Sequence, residues 1–231
     1  MIPELFSPIG VVCHDAGGTN QIIAMLRHKC LGNVLAYMEG PAKVLWEDAF
    51  LDNCVISNLS ELMVQITTLI TGTGWGSNLE HFARLEAKAK RLYSIAVLDH
   101  WTNYEERFIR FGETVFPDEL WVVDEYALQL ARNIFPTLKI TLIPDFYADQ
   151  QVKMIAPVSA ANEMLYLLEP MRSDWGRDEP GEFQALRYFF ECLSQLSLPP
   201  DTVIRLRPHP SDPPGKYDLF LGEFDRHTTL L

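Results

Sequence analysis

Short apolar, β-branched runs alternate along the chain with helix-patterned stretches, and nearly every run stops at a glycine, an acidic residue or a histidine. Ile9–His14, Asn33–Met38, Thr67–Thr71, Ser94–Leu98, Glu119–Val123 and Lys139–Ile143 read as buried strands. Gln21–Lys29, Pro41–Phe50, Ser60–Gln65, Asn78–Arg91 and Glu125–Ile134 read as the helices between them, and Asn78–Arg91 has the clearest apolar spacing. Strands that are apolar on both faces need cover on both sides, so the pattern predicts parallel βαβ units of an α/β fold. Cys54–Ser57 offers one further short strand, and Thr102–Phe116 reads as a loop with some helix.

At 231 residues the chain holds roughly one and a half domains. One Rossmann-like parallel-sheet domain is expected over residues 1–155, with Ala148–Met154 leading across as a helix. Val158–Asn162 reads as a linker, and residues 156–231 open a second, incomplete α/β unit. That unit has a strand at Met164–Leu168, a helix at Glu182–Leu196, a strand at Thr202–Leu206 and a weak helix at Lys216–Phe224. Nineteen Lys and Arg against 31 Asp and Glu leave a net charge of −12, the wrong sign for a protein that lives on nucleic-acid phosphates. Cys13, Cys30, Cys54 and Cys192 are scattered without metal or disulfide spacing, as in a reduced chain. The N-terminus has no basic leader pattern, and no run approaches the about 18 apolar residues of a membrane span. The expectation is a cytoplasmic protein.

Ligands of open parallel sheets bind outside the carboxyl ends of the strands. Four such ends carry unusual residues. The first is His14-Asp15-Ala16-Gly17-Gly18, whose glycines let a ligand approach and whose Asp15 is either a catalytic carboxylate or a helix cap. The second is Thr71-Gly72-Thr73-Gly74-Trp75-Gly76-Ser77, where Gly72 and Gly74 would wall a substrate site. Ser77 and Glu80 line a substrate there or form an S-x-x-E capping box. The third is Asp99-His100-Trp101, followed by Asn103, Tyr104 and Arg107. Carboxylates and amides there suit sugar hydroxyls, aromatic faces suit sugar C–H patches, and His100 beside Asp99 suits acid–base work. The bland alternative is an Asp–Arg–Tyr network pinning a loop. The fourth is Asp124-Glu125-Tyr126, which binds substrate or caps the following helix.

A fifth feature lies in the second unit. Arg205-Leu206-Arg207-Pro208-His209-Pro210 puts two arginines on one face of a strand and a histidine between two rigid prolines, a set suited to a phosphate or diphosphate. P-loop, G-x-S-x-G and H-E-x-x-H patterns do not occur, and no spacing predicts a metal site.

T-G-T-G-W-G-S-N-L-E, A-V-L-D-H-W-T-N-Y-E-E-R-F and P-D-E-L-W-V-V-D-E-Y-A together resemble bacterial proteins of surface-polysaccharide loci with the GT-B glycosyltransferase-like fold. R-P-H-P resembles the His-Pro motif of bacterial sialyltransferases and polysialyltransferases. The resemblance implies that His209 contacts the donor phosphate. It also implies an N-terminal general-base carboxylate, for which Asp15 is the nearest match, although His14-Asp15-Ala16-Gly17 departs from the acidic motif of that group. It further implies a metal-independent transferase that takes a nucleotide-sugar as substrate rather than a cofactor, with a glycan acceptor on the first domain. The sequence stops about 20 residues after R-P-H-P, short of a second GT-B domain. The expected explanations are a truncated chain, a partner chain or second copy that completes the half, or a non-catalytic binding or assembly subunit. A UDP-sugar 2-epimerase shares the architecture and is the other enzymatic alternative.

Overall fold

The computed structural model describes residues 5–29, 33–50, 55–74, 76–156, 162–171, 173–221 and 228–230. Cys30, Cys54, Trp75, nearly all of the 158–162 linker and the end of the 216–224 segment lie outside them. The chain forms two compact units, Met1–Ala156 and Pro157–Leu231.

The first unit runs β1 (Ile9–Cys13), α1 (Ala16–Lys29), β2 (Val34–Met38), α2 (Gly40–Phe50), α3 (Leu59–Met63), β3 (Thr68–Thr71), α4 (Leu79–Lys90) and β4 (Tyr93–Val97). A 3-10 turn at Glu106–Phe108 and a small hairpin, β5 (Ile109–Arg110) with β6 (Glu113–Thr114), follow. β7 (Glu119–Val122), α5 (Glu125–Ile134), β8 (Lys139–Leu142) and α6 (Phe146–Met154) complete it. Six strands pair in the order β2-β1-β3-β4-β7-β8, every pair parallel. This is the Rossmann-like α/β architecture that the alternation predicts.

The two-residue period of the strands builds both faces. Ile9, Val11 and Cys13 of β1 join Ile95, Val97 and Trp121 under α1, α2 and α6. Val12 points the other way, with Leu69, into a cluster with Leu62, Met63, Ala83 and Ala87 of α3 and α4. Ala96, Leu120 and Val122 pack on that same side against Ala127, Leu128 and Ala131 of α5. Burying each such Val, Leu or Ile contributes about 1.5–3 kcal/mol, so both layers are needed.

Local expectations change at three places. α1 starts at Ala16 rather than Gln21, so the predicted Asp15–Asn20 turn is its first helical turn. Glycine is tolerated there because Gly18 must pack on Gly72, whose Cα lies 3.0 Å from where a Cβ would stand. Cys54–Ser57 is no strand among the described residues; Val55 alone bridges Ala36. The Thr102–Phe116 loop contains the β5–β6 hairpin, turned by Phe111 and Gly112 at positive φ.

The second unit contains β9 (Glu163–Leu167), α7 (Gly181–Cys192), β10 (Val203–Arg207), α8 (Asp218–Leu221) and β11 (Thr228–Leu230), with the sheet order β11-β10-β9, again parallel. Its core is Leu168, Leu186, Ile204, Leu206, Tyr217 and Phe220. The predicted Glu182–Leu196 helix tightens into a 3-10 turn at Leu193 and ends at Ser197, in the left-handed region. Among the described residues no helix is long and apolar enough to cross a membrane.

Candidate functional site

The strand order places β1 between β2 and β3, so the chain leaves β1 toward one neighbour and later returns on its other side. Such a switch point opens a crevice at the carboxyl ends of the two strands concerned. Here those ends are Cys13-His14-Asp15 and Thr71-Gly72.

At this crevice His14 Nδ1 and Asp15 Oδ1 lie 2.7 Å apart. A carboxylate only accepts, so the imidazole N–H donates. Both side chains remain partly open, at 21% and 33% exposure. The ring rests on the start of α2, where a Cβ on Gly40 would stand 2.5 Å from Nε2. The sequence reading singles out Asp15 in this tip, and the structure adds His14 as the side chain paired with it.

Glu80 corrects another expectation. α4 is preceded by Asn78 without a side-chain cap, and Ser77 Oγ accepts from the Leu79 N–H at 3.1 Å rather than from the N–H of Glu80. The Glu80 carboxylate instead reaches out of its helix, accepting from His14 N–H at 3.2 Å and Gly74 N–H at 2.6 Å. It is 3% exposed, and burial raises its pKa above the usual carboxylate range, against Arg84 and the two N–H bonds that lower it. Glu80 therefore ties the β1 tip to the β3 tip.

The Gly72–Ser77 turn is held from the protein side. Arg84 donates to Gly72 O at 3.2 Å, Arg107 to Thr73 O at 3.0 Å and Arg110 to Gly74 O at 3.0 Å. Arg84 is fully buried and also bonds Thr71 Oγ1 and the Val115 carbonyl. Burial lowers its pKa to about 10, which leaves it charged at neutral pH. The glycines give room to side chains: a Cβ on Gly74 would collide with Asp15 Oδ2, and one on Gly17 with Asp99 Oδ2. A Cβ on Gly72 would come within 2.6 Å of Glu80 Oε1. Glycine here makes space for carboxylates, where the sequence reading expects space for a ligand.

Around the third tip, buried Arg107 pairs with Asp99 at 3.8 Å and donates to Thr102 O at 3.0 Å. Burial lowers its pKa while Asp99 opposes that shift. This is the Asp–Arg pinning of the loop. His100 turns away from Asp99; its Nδ1 takes the Trp101 N–H at 3.0 Å and lies 3.1 Å from Thr102 Oγ1. Asn103 is exposed at φ 57° with only a 3.4 Å bond to Thr102 Oγ1. Tyr104 is buried against Phe135, its hydroxyl has no partner among the described residues, and burial followed by the charge of Asp124 raises its pKa to about 12. Asp124 caps α5 through Ala127 N–H at 2.7 Å and receives the Trp101 indole N–H at 2.8 Å; Glu125 beside it is exposed.

In the second unit, Arg205 is not an open cation. Its guanidinium grips Glu163 of the neighbouring strand with two bonds, at 2.8 and 2.7 Å. Arg207 is exposed, and nothing among the described residues engages its guanidinium. His209 Nδ1 accepts the Ser211 N–H at 3.1 Å, so the neutral ring carries its proton on Nε2. The turn is anchored by Asp212, which takes the His209 N–H at 3.1 Å, Tyr217 Oη at 3.1 Å and Lys216 Nζ at 2.6 Å. Lys216 also pairs with Glu182 at 2.9 Å.

Among the described residues no group of His, Cys, Asp or Glu could hold a metal ion. Cys13, beside the site, is buried, and desolvation raises its thiol pKa above the usual range.

No family model and no curated protein matches the chain. A solved structure does: that of a Listeria monocytogenes protein provisionally assigned as a UDP-N-acetylglucosamine 2-epimerase, at TM-score 0.52 and 13% identity, covering 97% of this chain and 69% of that one. At that identity the likeness shows the fold alone, an α/β fold of the Rossmann-like GT-B kind.

Proposed function

We propose that the protein acts on a nucleotide-activated sugar, and that it transfers the sugar to a hydroxyl of a glycan acceptor in bacterial surface-polysaccharide synthesis, in the cytoplasm. The observation that carries the reading is the His14–Asp15 pair at the switch point, fixed from behind by Glu80. In this reaction an acceptor hydroxyl attacks the anomeric carbon, and the bond from that carbon to the phosphate oxygen breaks. The hydroxyl proton passes to the His14–Asp15 pair. The electron pair of the broken bond goes to the phosphate oxygen of the leaving nucleotide, without a metal. Taken by itself, the second unit offers Arg207 and His209 to a phosphate. The acidic edge formed by Asp15 and Asp99 suits hydroxyls better than phosphates, which supports seating the acceptor on the first unit.

A second reading has a specific support: the protein of similar fold is assigned as an epimerase of a UDP-sugar. That reaction needs no acceptor, so the products separate the two. Incubating the chain with UDP-, CMP- and GDP-sugars, with and without an oligosaccharide acceptor, and analysing products by mass spectrometry and NMR distinguishes a new glycoside from an epimerised donor. Asp15→Asn and His14→Ala should each lower turnover by about 10²-fold or more. Full activity in both variants overturns the acid–base assignment. Binding of a nucleotide-sugar with no turnover, alone or with a partner chain, would make the chain a non-catalytic subunit.

A further inference from the structure

The carboxyl edge of the first unit carries two large aromatic rings that the chemistry above does not use. Trp101, after β4, is 57% exposed, and Tyr126, at the start of α5, is 65% exposed. Their ring centroids stand 6.4 Å apart, close to perpendicular. Isolated surface aromatics are ordinary, but this indole is fixed. Its Nε1–H is spent on Asp124 Oδ2 at 2.8 Å, while the other Asp124 oxygen caps α5. The Trp101 backbone N–H is tied to His100 Nδ1. A side chain oriented at both ends and left uncovered has already lost the freedom that binding would otherwise cost. Below it, the Tyr104 hydroxyl is buried and has no partner among the described residues, an unmet polar group of the kind that a ligand hydroxyl or a bridging water satisfies. Beside it, a cavity of about 310 Å³ is lined by Asp124, Glu125, Leu142 and Pro144 among others.

We infer that Trp101 and Tyr126 form a platform for a neutral saccharide ring, with the apolar C–H face of a pyranose on the indole and its hydroxyls toward Glu125 and Asn103. Charge selects this occupant over a nucleotide base. Exposed Glu125 adjoins Tyr126 and exposed Glu105 and Glu106 follow Trp101 in the same loop, while of that loop's two arginines Arg107 is buried and Arg110 donates to the backbone carbonyls of Glu106, Ile109 and Gly74. A phosphate attached to a stacked base would meet repulsion here, whereas a hydroxyl finds acceptors. This deepens the reading above by giving the acceptor a chemical class. Its test is separable because binding is read without turnover.

The test is titration of the ¹⁵N-labelled chain with lactose, cellobiose, maltose and N,N′-diacetylchitobiose, and in parallel with UMP and CMP. The readout is the Trp101 indole N–H signal, assigned by its absence in Trp101→Phe. At least one neutral disaccharide is expected to shift that signal saturably. By isothermal titration calorimetry, which needs no indole signal, Trp101→Ala and Tyr126→Ala should each weaken that binding about tenfold or more, the scale of a lost aromatic anchor. Trp101→Phe, which keeps a ring, should weaken it less. Silence of the indole toward all four sugars, or equal affinity in Trp101→Ala, overturns the platform. So does a response to the nucleotides alone. Failed catalysis with intact disaccharide binding would instead count against the His14–Asp15 reading.

Discussion

Glu80 Oε2 accepts the backbone N–H of Gly74 at 2.6 Å, from six residues further along the chain and from inside a helix. With its other oxygen on His14 N–H, this one carboxylate sets the spacing between the two strand tips of the crevice. Glu80→Ala leaves two backbone N–H groups without their acceptor, and should cost about 2–4 kcal/mol in urea unfolding. The pH dependence has a defined sign. Burial raises the folded pKa above its unfolded value, so the folded state holds a proton that the unfolded state has released. Stability from this site is therefore full below the ordinary glutamate range and falls as pH rises through the higher folded value. Glu80→Gln should flatten that part of the stability–pH curve, and an unchanged slope would refute the assignment.

Gly74→Ala tests whether the glycine serves Asp15. A Cβ there occupies the place of Asp15 Oδ2, so Asp15 must leave its position beside His14. The expected result is a loss of turnover as large as that of Asp15→Asn, with a stability cost of about 1–3 kcal/mol from overpacking. Gly17→Ala displaces Asp99 instead, and should loosen the Arg107-held loop with a smaller effect on turnover. If Gly74→Ala keeps full turnover, Asp15 does not act from its observed position.

How far the sequence reveals this arrangement depends on the range of each interaction. α5 spans the predicted Glu125–Ile134 because its signals are local: Asp124 caps it, and Ala127, Leu128 and Ala131 mark its buried face. β1 was legible because Ile9–Cys13 is apolar on both faces. S-x-x-E was legible as a motif and misleading as a contact, since the four residues cannot show whether Glu80 folds back or crosses to another strand. The partners of the Gly72–Gly74 carbonyls come from Arg84, Arg107 and Arg110, which only the fold brings together. Arg205 looked like a phosphate ligand for the same reason, because Glu163 lies 42 residues earlier and becomes its neighbour only through β9–β10 pairing. His14 sat in the open beside Asp15, yet one histidine carries no spacing signal.

Arg205 and Arg207 should accordingly behave differently. Arg205 is satisfied by Glu163, whereas no described residue engages the Arg207 guanidinium or His209 Nε2. UDP and CMP are expected to raise the melting temperature of the wild-type chain by mass action. Arg207→Ala and His209→Ala should abolish most of that rise, and Arg205→Ala should preserve it. Equal rises in all three variants would remove R-P-H-P from phosphate binding.

The last prediction concerns what keeps His209 in place. Asp212 is 3% exposed and accepts from His209 N–H, Lys216 and Tyr217, so Asp212→Ala strands the His209 N–H and the Tyr217 hydroxyl and leaves Lys216 with Glu182 alone. The expected cost is about 2 kcal/mol or more, read as faster hydrogen exchange over residues 203–221 with little change in β1–β4. Burial raises the Asp212 pKa, but the bonds from Lys216, Tyr217 and the His209 backbone outweigh it and hold the carboxyl below the ordinary aspartate range. The stability it supplies is thus present above the unfolded value and disappears as pH falls through the lower folded one. Lys216 has the opposite dependence: burial would lower its pKa, yet Asp212 and Glu182 hold it well above the usual lysine range, so its contribution is lost only in strong alkali. Protection of 203–221 should therefore be flat through neutral pH and collapse on the acid side, and Asp212→Asn should lack that acid collapse while starting from a lower plateau. A variant that exchanges as slowly as the wild type at neutral pH would show that Pro208 and Pro210 hold the turn without Asp212.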